Sequence, residues 1–582
     1  MDQKAIYKFC KSLGCCEACC LRYIGIKHPN AYENSKNYVT KFREENDLEP
    51  ISTDKNMTID VSAHTSEKNG ASISSNVRNS DEICDKSIDT KESITNKGST
   101  EVDTAVLDSN DSVSPPHKKR KLNVCVSCLG VLQEDNWQEC YQMVKEILDK
   151  KGYECNTFAC ALSAPIATLL REKAVTLHLV DEFPQYDAKV LTPLKEAWKW
   201  SFGVKLGAYI NKILDSGAIS PLLITVNIDY VDELQELEIL KTVSPQLFAE
   251  RSKQKRRFVT EFTRRSVEQA LELATLWSLS AADALRAPHS RAACVGAACA
   301  HAPIFLAGRY IKLSRNLPQS PWILEGRRVL PSSVQEIIFG PLTKCYKFDP
   351  EDADRRFKFI AAGREDVDVR CLGDGRPFAI EISDPTRQLT AEEMKEVCEE
   401  ISNGGEVIVK EMSPISKEDL VQLKKGEETK SKTYEALCIK LSHSKFDEDH
   451  NAPIRVTQED IDRINSYTNT TSKEVKIALQ QKTPIRVLHR RPLLTRSRDI
   501  LELTATLIPE HPQLFALRLR TSAGTYVKEW AHGELGRSAP ALAAALRARA
   551  DLLALDVRAV HLAWPPARRA PPAPRAPPPT TS

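Results

Sequence analysis

The stretch Gly363-Arg-Glu-Asp-Val-Asp-Val-Arg370-Cys-Leu-Gly-Asp-Gly-Arg-Pro-Phe378-Ala-Ile-Glu-Ile382 joins a charged segment to an apolar one. Residues 363–378 contain four acidic and three arginine side chains. From Phe378 onward, large apolar residues alternate with a small and a charged one, which predicts a half-buried strand. The charged segment is then a loop at the mouth of a sheet, where a rigid scaffold can hold reactive groups. A solvated surface turn is the alternative, and composition alone favours it.

Length and charge limit what surrounds this loop. A chain of 582 residues is too long for one core and predicts about three or four domains. A net charge of +2 excludes a basic surface over the whole protein, so any nucleic-acid contact must come from local patches such as Lys253–Arg257 or His489–Arg491. No apolar run reaches the ~18 residues of a membrane span, and the first residues lack the apolar core of a secretory signal. We therefore expect a protein of the nucleus and cytoplasm with no membrane partner.

The cysteines predict a metal site. Seventeen cysteines in a chain without a secretory signal favour reduced thiols and metal ligation over disulfides. Cys16-Glu-Ala-Cys19 and Cys125-Val-Ser-Cys128 each have the two-residue gap with which two thiolates bind one tetrahedral ion. The four cysteines of these pairs are the candidate ligands of a structural zinc ion, with neighbouring Cys15 and Cys20 as competitors. Ordinary buried cysteines are the alternative.

Composition divides the amino-terminal half. Residues 1–49 and 121–137 form the predicted zinc-binding segment, and 50–120, rich in Ser, Asn, Asp, Lys and Thr, are predicted to be a disordered insertion. Within the sequence Pro115-Pro-His-Lys-Lys-Arg-Lys121, the basic run Lys118–Lys121 is typical of a nuclear import receptor's target, or of a solvated linker. From 138 to 300, apolar spacing predicts a helix over 137–150, a strand over 174–180 and a helix over 193–214. These elements indicate an α/β accessory domain.

Three later segments carry cations and aromatic rings. Phe305–Trp322 interleaves Arg309 and neighbouring basic residues with Tyr310, as expected of a surface for single-stranded RNA or of a plain surface strand. A polar loop leads to Tyr434 at the start of an apolar strand, and Thr483–Pro492 is basic. Residues 514–520 alternate as a strand and lead through a turn at Gly524 into a helix. The Pro-, Ala- and Arg-rich tail, 567–582, is predicted to be disordered.

Two of these segments resemble pseudouridine synthases. Gly363-Arg-Glu-Asp366 is similar to the loop that carries their catalytic aspartate, and Ser522-Ala-Gly-Thr-Tyr-Val-Lys528 is similar to their second signature. Longer strings, including Ala307-Gly-Arg-Tyr-Ile-Lys312 and Arg486-Val-Leu-His-Arg-Arg-Pro-Leu493, resemble the archaeal and eukaryotic tRNA pseudouridine synthase family called Pus-ten. The resemblance implies an α/β (α+β) fold: a catalytic domain over 301–566 with a mixed, mainly antiparallel sheet, and a THUMP-like RNA-binding domain over 138–300 behind the zinc-binding segment.

The resemblance also implies site residues. Pseudouridylation breaks the N1–C1′ bond of a uridine and rejoins the uracil through C5, without net redox change, so no cofactor is needed. Asp366 would be the catalytic carboxylate, Lys528 the cation that keeps it ionised, and Tyr434 the ring that stacks on the extruded base. Attack on C1′, addition to C6 and removal of a ribose proton all remain open as the role of Asp366. The predicted substrate-binding residues are Arg309, Tyr310, Arg364, Tyr526, Val527 and Leu553.

The implied activity is isomerisation of uridine 55 in the T loop of tRNA, and in some members of uridine 54. The T arm of tRNA would be the partner, with other structured RNA as a further one. A nuclear RNA-binding or processing factor that acts independently of catalysis is the alternative. A THUMP-bearing methyltransferase or thiouridine synthase is disfavoured, because no Gly-rich loop follows a strand and no Walker-type phosphate loop is present. The sequence does not decide between positions 54 and 55 or fix the oligomeric state.

Overall fold

A computed structural model describes residues 2–46, 123–217, 219–253, 260–445, 447–467 and 477–566. The predictions made for the 50–120 insertion, for Lys118–Lys121, for 254–257 of the basic run and for the 567–582 tail lie outside these residues. Within the described ranges, no helix has the length and apolar character needed to cross a membrane.

The amino-terminal half combines helices with a small sheet. Its helices are α1 Gln3–Ser12, α2 Glu17–Tyr23, α3 Asn30–Glu33, α4 Ser35–Glu45, α5 Gln138–Lys151, α6 Ala167–Glu182, α7 Leu194–Trp198, α8 Val204–Ile210, α9 Glu233–Leu237, α10 Ile239–Val243, α11 Pro245–Lys253, α12 Arg264–Glu272 and α13 Leu276–Ala281. Its strands are β1 Thr157–Ser163, β2 Ile213–Leu214, β3 Leu222–Asp229 and β4 Ala293–His301.

This first sheet has the order β2-β1-β3-β4. Strand β1 runs parallel to β2 and β3, and β4 pairs antiparallel with β3. One hydrophobic core extends from Ile6 in α1 to Cys299 in β4, so the cysteine-bearing segment and the α/β region are buried against each other. The two regions that the sequence separates therefore share a core.

Two of the three elements predicted in this half are confirmed. Helix α5 matches the prediction for 137–150 and ends at Gly152, whose φ of +66° provides a left-handed cap. The helix predicted from residue 193 ends at Ile210, after a π-helical turn over Lys199–Gly203. The strand predicted over 174–180 is wrong, because these residues belong to α6. Over seven residues, alternating apolar side chains resemble a strand. Over the whole of α6, the buried residues Leu170, Ala174, Val175 and Leu179 recur at helical spacing.

The carboxyl-terminal half is built on a large sheet. Its strands are β5 Ile304–Lys312, β6 Ile323–Leu324, β7 Arg327–Arg328, β8 Phe357–Ala361, β9 Arg370–Ile382, β10 Val407–Ile415, β11 Lys432–Lys440, β12 Ile477–Lys482, β13 Thr495–Leu507, β14 Leu514–Thr521, β15 Ser538–Ala539 and β16 Ala550–Val560. Its helices are α14 Val334–Tyr346, α15 Pro350–Arg356, α16 Ala391–Asn403, α17 Leu420–Thr429, α18 Gln458–Ser466, α19 Val527–His532 and α20 Leu542–Leu546.

The strands follow the order β10-β5-β9-β16-β11-β14-β13-β12-β15, with β8 beside β9. The pairings are antiparallel except that β9 and β16 run parallel at Arg370–Cys371 and Asp556–Val557. The prediction of a mixed, mainly antiparallel sheet is thus confirmed. One core contains Phe378 and Ile380 and a second contains Tyr434 and Val557, so the parallel pair forms the junction between two cores.

Strand β9 differs from its prediction in two respects. It begins at Arg370, so the second half of the predicted charged loop is already strand. Gly373 and Gly375 have φ values of +64° and +81°, and they lie where the register between β9 and β5 shifts. Ala379 is fully buried, as Phe378 is, because the strand lies inside the sheet with elements on both faces. The charged loop proper is therefore short and spans residues 362–369.

Candidate active site

The loop over residues 362–369 is held in place by buried residues of the sheet. Gly363 adopts φ +85° at its start. The fully buried Glu365 carboxylate forms an ion pair with Arg376 Nε at 2.7 Å and accepts a hydrogen bond from Tyr310 Oη at 2.8 Å. Buried Lys312 donates to the carbonyls of Asp366 and Val367 at 3.3 and 2.7 Å. Because Glu365 and the backbone are tied to the sheet, the neighbouring Asp366 side chain projects into open space.

Asp366 lies between two cations contributed by distant parts of the chain. Its Oδ1 accepts a hydrogen bond from Arg486 Nη1 at 3.0 Å, and its Oδ2 lies 3.5 Å from Lys528 Nζ. The Asp366 side chain is 33% exposed, so its carboxylate remains accessible. The structure therefore brings together Asp366 and Lys528, two residues that the sequence singled out separately.

Arg486 was missed as a site residue, although the basic segment 483–492 was noted. It belongs to a 3₁₀ turn over Ile485–Val487. Its Nε contacts the buried Glu529 Oε1 at 2.5 Å, and this second carboxylate turns the guanidinium toward Asp366. Because the pairing joins residues 120 positions apart, nothing in local spacing distinguishes Arg486 from the arginines that follow it.

Lys528 is shared between two aspartates. Its Nζ donates to Asp368 at 2.8 and 2.7 Å, closer than its 3.5 Å approach to Asp366. Burial acts to raise the pKa of Asp368, but the hydrogen bond and charge of Lys528 outweigh burial and hold that pKa below its usual value. Asp368 thus competes with Asp366 for the same ammonium group.

A pocket of about 500 Å³ opens around Asp366. Four of the other predicted residues line it: Arg364, Tyr434, Tyr526 and Val527. Tyr434 is 7% exposed, and burial raises the pKa of its hydroxyl to about 12, so the hydroxyl stays protonated at neutral pH.

The backbone of Tyr526, just before α19, is held by Gln481. The Gln481 side-chain amide donates one hydrogen bond to the Tyr526 carbonyl and accepts another from the Tyr526 amide, both at 3.0 Å, which fixes the start of α19.

The charge of this pocket is strongly unbalanced. Among the described residues that line it, eight are basic and two are acidic. The basic ones are Arg364, Arg376, Lys430, Lys432, Arg486, Arg490, Arg491 and Lys528, and the acidic ones are Glu365 and Asp366. Because the whole chain has a net charge of only +2, the positive charge is concentrated at this site.

The structure does not place three of the predicted substrate-binding residues in the pocket wall. The Arg309 guanidinium donates to the carbonyls of Val560, Leu562 and Trp564, and so ties the end of β16 and the residues after it to β5. Tyr310 is fully buried against Glu365. Arg309 and Tyr310 thus bind groups of the protein itself, and the expectation of an RNA surface at these two positions is corrected.

The third correction concerns Leu553, which is 54% exposed. Strand β16 skips a residue here, because Leu437 pairs with Ala554 and the next residue of β11, Cys438, pairs with Leu552. The resulting bulge turns Leu553 outward. Leu555 lines the pocket instead, two residues further along the same strand.

The four cysteines of the two Cys-x₂-Cys pairs meet in the amino-terminal half. Their sulfur atoms all lie within 4.8 Å of one another, and the Cys16 and Cys128 sulfurs are 3.8 Å apart. A tetrahedron of Zn–S bonds of ~2.3 Å has sulfur separations of about 3.8 Å, so the donors fit zinc. Amide groups of Cys16 and Cys128 also point at Cys125 Sγ, at 3.2 and 3.5 Å, as they do around thiolates. Cys15 and Cys20 are not part of this group.

Family models and relatives match most of the chain. A model described as "Pus10, C-terminal" matches residues 305–561, and one described as "Eukaryotic Pus10, N-terminal" matches residues 125–292. Human tRNA pseudouridine synthase Pus10 is 35% identical over 471 residues, which cover 78% of this chain and 81% of the human one. The mouse protein of the same name is 32% identical over 588 residues, covering 97% and 98%.

Two further matches cover less of the chain. The Thermofilum pendens protein named tRNA pseudouridine synthase Pus10 is 34% identical over 259 residues, covering 44% of this chain and 52% of that one. A chain in the solved structure of a Cbf5-Nop10-Gar1 complex is 16% identical and covers 43% of this chain and 57% of its own, with a TM-score of 0.20. So low a score does not show a shared fold.

The matched regions include both signature loops around Asp366 and Lys528, and they define the class of protein as a pseudouridine synthase, an isomerase. Sequence identity of 32 to 35% with two Pus10 proteins over most of the chain identifies the family within this class. The chain belongs to the Pus10 family of tRNA pseudouridine synthases, the Pus-ten family of the sequence resemblance.

Proposed function

We propose that this protein isomerises uridine 55 in the T loop of tRNA to pseudouridine, with Asp366 as the catalytic carboxylate and uridine 54 as a second position to be tested. The observation that carries this proposal is the placement of Asp366. Its carboxylate is accessible from a pocket of nucleotide size and lies between Arg486 and Lys528.

The two cations meet a requirement of the reaction. A carboxylate that attacks C1′, adds to C6 or takes a ribose proton must be ionised when the substrate arrives. Cations within about 4 Å favour the ionised form, and Arg486 and Lys528 approach opposite oxygens of Asp366. The two contacts hold the orientation of the carboxylate, and the two positive charges lie beside its negative charge.

The remaining wall suits a flat, extruded base. Tyr434 offers an aromatic face, and Val527 and Leu555 offer apolar surface. Moving a base out of its stack costs a few kcal/mol, which stacking on a ring partly offsets. The excess of basic side chains around the pocket supports binding of a polyanion such as RNA.

We propose a structural zinc ion at Cys16, Cys19, Cys125 and Cys128. Four cysteine ligands leave no open position, so the ion would stabilise the fold and take no part in the isomerisation. It would join α2 to the turn after residue 124. The turn between α1 and α2 already contacts this segment through the hydrogen bond from Val126 N to Gly14 O at 3.4 Å.

The test is pseudouridine mapping by mass spectrometry in a tRNA incubated with the full chain. We expect Asp366→Asn to abolish the product at position 55 while tRNA affinity is retained, because the amide has the shape of the carboxylate without its charge. Asp374→Asn is the matched control, since Asp374 is an acid of the same segment that does not line the pocket. Normal product formation by Asp366→Asn would end the assignment.

A further inference from the structure

Side chains from residues 312–319, at the end of β5, hold the 362–369 loop by its backbone. Three of them donate hydrogen bonds to carbonyl oxygens of the loop: Lys312, Arg315 and Gln319. The acceptors, at 2.7 to 3.3 Å, are the carbonyls of Gly363, Asp366, Val367 and Asp368. Lys312 and Gln319 are buried, whereas the Arg315 side chain is 35% exposed.

Arg315 reaches the loop from the side of the sheet that faces away from the active-site pocket. Leu555 and Val557 of β16 line that pocket, whereas Asp556 between them lines a separate cavity of about 480 Å³ together with Arg315. Successive side chains of a strand point to opposite faces, so this cavity lies behind the pocket. From there, Arg315 Nη1 donates to the carbonyls of Asp368 and Leu555 at 2.9 and 3.1 Å. One guanidinium group thus joins the loop to the strand that forms the pocket wall.

A carboxylate holds Arg315 in this place. Asp556 Oδ1 accepts hydrogen bonds from Arg315 Nη2 at 2.7 Å and from Arg370 Nε at 2.9 Å. Arg370 lies opposite Asp556 in the parallel pairing of β9 with β16 and also donates to Oδ2. Burial acts to raise the pKa of Asp556, but the hydrogen bond of Arg370 and the charges of both arginines hold that pKa below its usual value. The carboxylate is therefore ionised at neutral pH and orients both guanidinium groups.

The contact with the Asp368 backbone connects Arg315 to the proposed catalytic carboxylate. The Asp368 side chain binds Lys528, whose ammonium group also approaches Asp366. A shift of the loop at residue 368 would therefore move groups on both sides of this ammonium. A displacement of about 1 Å at a reacting group can lower a rate on the order of a hundredfold. Support from behind holds the loop and leaves its front free for the substrate.

We propose that Arg315 is a positioning residue for the isomerisation, which fixes the 362–369 loop to β16 from behind the pocket. The inference rests on the proposed function and adds to it a group that orients Asp366 without touching the RNA. Contact with an RNA phosphate is the competing role for a partly exposed arginine. The two roles change different measurements, because positioning acts on the rate of the chemical step, whereas a phosphate contact acts on affinity and its salt dependence.

The test compares Arg315→Met, Asp556→Asn and the double variant of the full chain on a tRNA. Single-turnover assays at saturating protein measure the rate constant of pseudouridine formation, and fluorescence anisotropy measures the dissociation constant at several salt concentrations. We expect Arg315→Met to lower the rate constant about 10- to 100-fold and to leave the dissociation constant within about twofold at every salt concentration. Asp556→Asn should also slow the reaction. The double variant should lose much less than the product of the two single losses, because both changes release the same guanidinium group.

Arg309→Met is the matched control. The Arg309 guanidinium also extends from the β5 segment and donates to three carbonyl oxygens, but none of these three belongs to the loop. Its rate constant should stay within about twofold of the wild-type value, as expected when the loop is undisturbed. Guanidinium ion added to Arg315→Ala should restore part of the lost rate and should leave Arg309→Ala unchanged, which separates a missing contact from a destabilised fold.

Three kinetic results would overturn the positioning role. An unchanged rate constant in Arg315→Met would do so directly. A raised dissociation constant with a smaller salt dependence and no loss of rate would make Arg315 a contact for RNA. Single losses that multiply in the double variant would show that Asp556 and Arg315 act separately.

Hydrogen exchange without RNA separates a failure of this inference from a failure of the proposed function. The amide of Val369 donates to the Asp366 carbonyl at 3.1 Å and reports on the order of the loop. Its exchange should be faster in Arg315→Met and unchanged in Arg309→Met, and equal exchange in Arg315→Met and the wild type would overturn the inference. Absence of pseudouridine from the wild-type reaction would defeat the proposed function, and the exchange comparison would still decide whether Arg315 orders the loop.

Discussion

The pocket around Asp366 and the cluster of four cysteines hold reactive groups in opposite ways. The Asp366 side chain is 33% exposed, and its two cations come from a turn and a helix far away in sequence. Three of the four clustered cysteines are almost fully buried, and their sulfurs face one another. The first arrangement leaves room for a ligand that enters and departs, and the second has room for a permanent ion.

This difference predicts which property each site controls. A change in the cysteine cluster removes a link between two segments of one core, so it should act on folding. A change in the pocket removes a charge that is already partly solvated, so it should act on turnover and binding. The predictions that follow set these two expectations against each other.

The largest expected effect is on stability. Cys19→Ser, or removal of metal with a chelator, should lower the free energy of unfolding by about 4 kcal/mol or more, a part of the ~10–16 kcal/mol that structural zinc contributes in zinc-finger peptides. Elemental analysis and thermal unfolding of the full chain measure it, with Cys345→Ser as the control at a partly exposed cysteine outside the cluster. A metal-free sample with unchanged unfolding would show that the cluster is not a zinc site.

The next effect should appear in turnover. Arg486→Met removes the hydrogen bond to Asp366, and we expect kcat to fall about 10²- to 10³-fold, as when a preorganised donor is lost at a reacting group. Thermal stability should change much less. Arg496→Met, at an exposed arginine at the start of β13, is the control. An unchanged kcat with a raised KM would reduce Arg486 to a contact for RNA.

The two sites were also predictable from sequence to different degrees. The four clustered cysteines could be identified as candidate ligands from the spacing within each pair, because two thiolates three residues apart already share one turn of chain. The loop at Asp366 and the helix after Gly524 were identified by resemblance to known signatures, and their meeting is a property of the sheet. No local pattern shows that Arg486 enters the same pocket.

The incorrect predictions for individual site residues also result from contacts between distant strands. Arg309 and Tyr310 have the composition of an RNA surface, but β5 lies inside the sheet, so their polar ends bind carbonyls and Glu365. Leu553 was misplaced by one bulge in β16. Burial of a strand on both faces and the position of a bulge depend on pairing between distant strands, which sequence periodicity does not report.

A smaller effect, within the pocket, should depend on pH. Lys432 is charged below a pKa of about 7 and neutral above it, so affinity for RNA should fall about tenfold as pH rises from 6 to 8. The groups that face it are Arg376, which keeps its charge, Cys371, whose pKa burial raises to about 11, Lys430 and Glu365. Lys432→Met should flatten this dependence, and an equally steep profile in the variant would assign it to another group.

The same pKa fixes the sign of a stability effect. Because the pKa of folded Lys432 lies below its unfolded value, the unfolded chain binds the additional proton, and stability rises with pH between the two values. Lys432→Met should therefore be more stable than the wild type at pH 6, as measured by thermal unfolding without RNA. Here a pocket residue alters folding through the charge it buries, in contrast to Asp366.

The smallest effect concerns Asp368, which is 60% exposed although it binds Lys528 more closely than Asp366 does. An exposed pair of this kind contributes less than about 1 kcal/mol, so Asp368→Asn should barely change unfolding at pH 7. Because Lys528 lowers the pKa of Asp368, that contribution is present above the unfolded value of 3.8 and is lost as pH falls through the folded pKa. The variant and the wild type should therefore unfold alike at still lower pH.

Measurements of kcat show whether Lys528 acts on Asp366 or on Asp368. If its ammonium group serves Asp366, Lys528→Met should lower kcat about 10- to 100-fold, whereas Asp368→Asn should leave kcat within about twofold, because the released ammonium group can move toward Asp366. If Lys528 acts only through its bridge to Asp368, the two variants should lose the same activity. Equal losses would show that Lys528 supports the loop and does not act on the reacting carboxylate, and Arg486 would remain as the cation that binds Asp366.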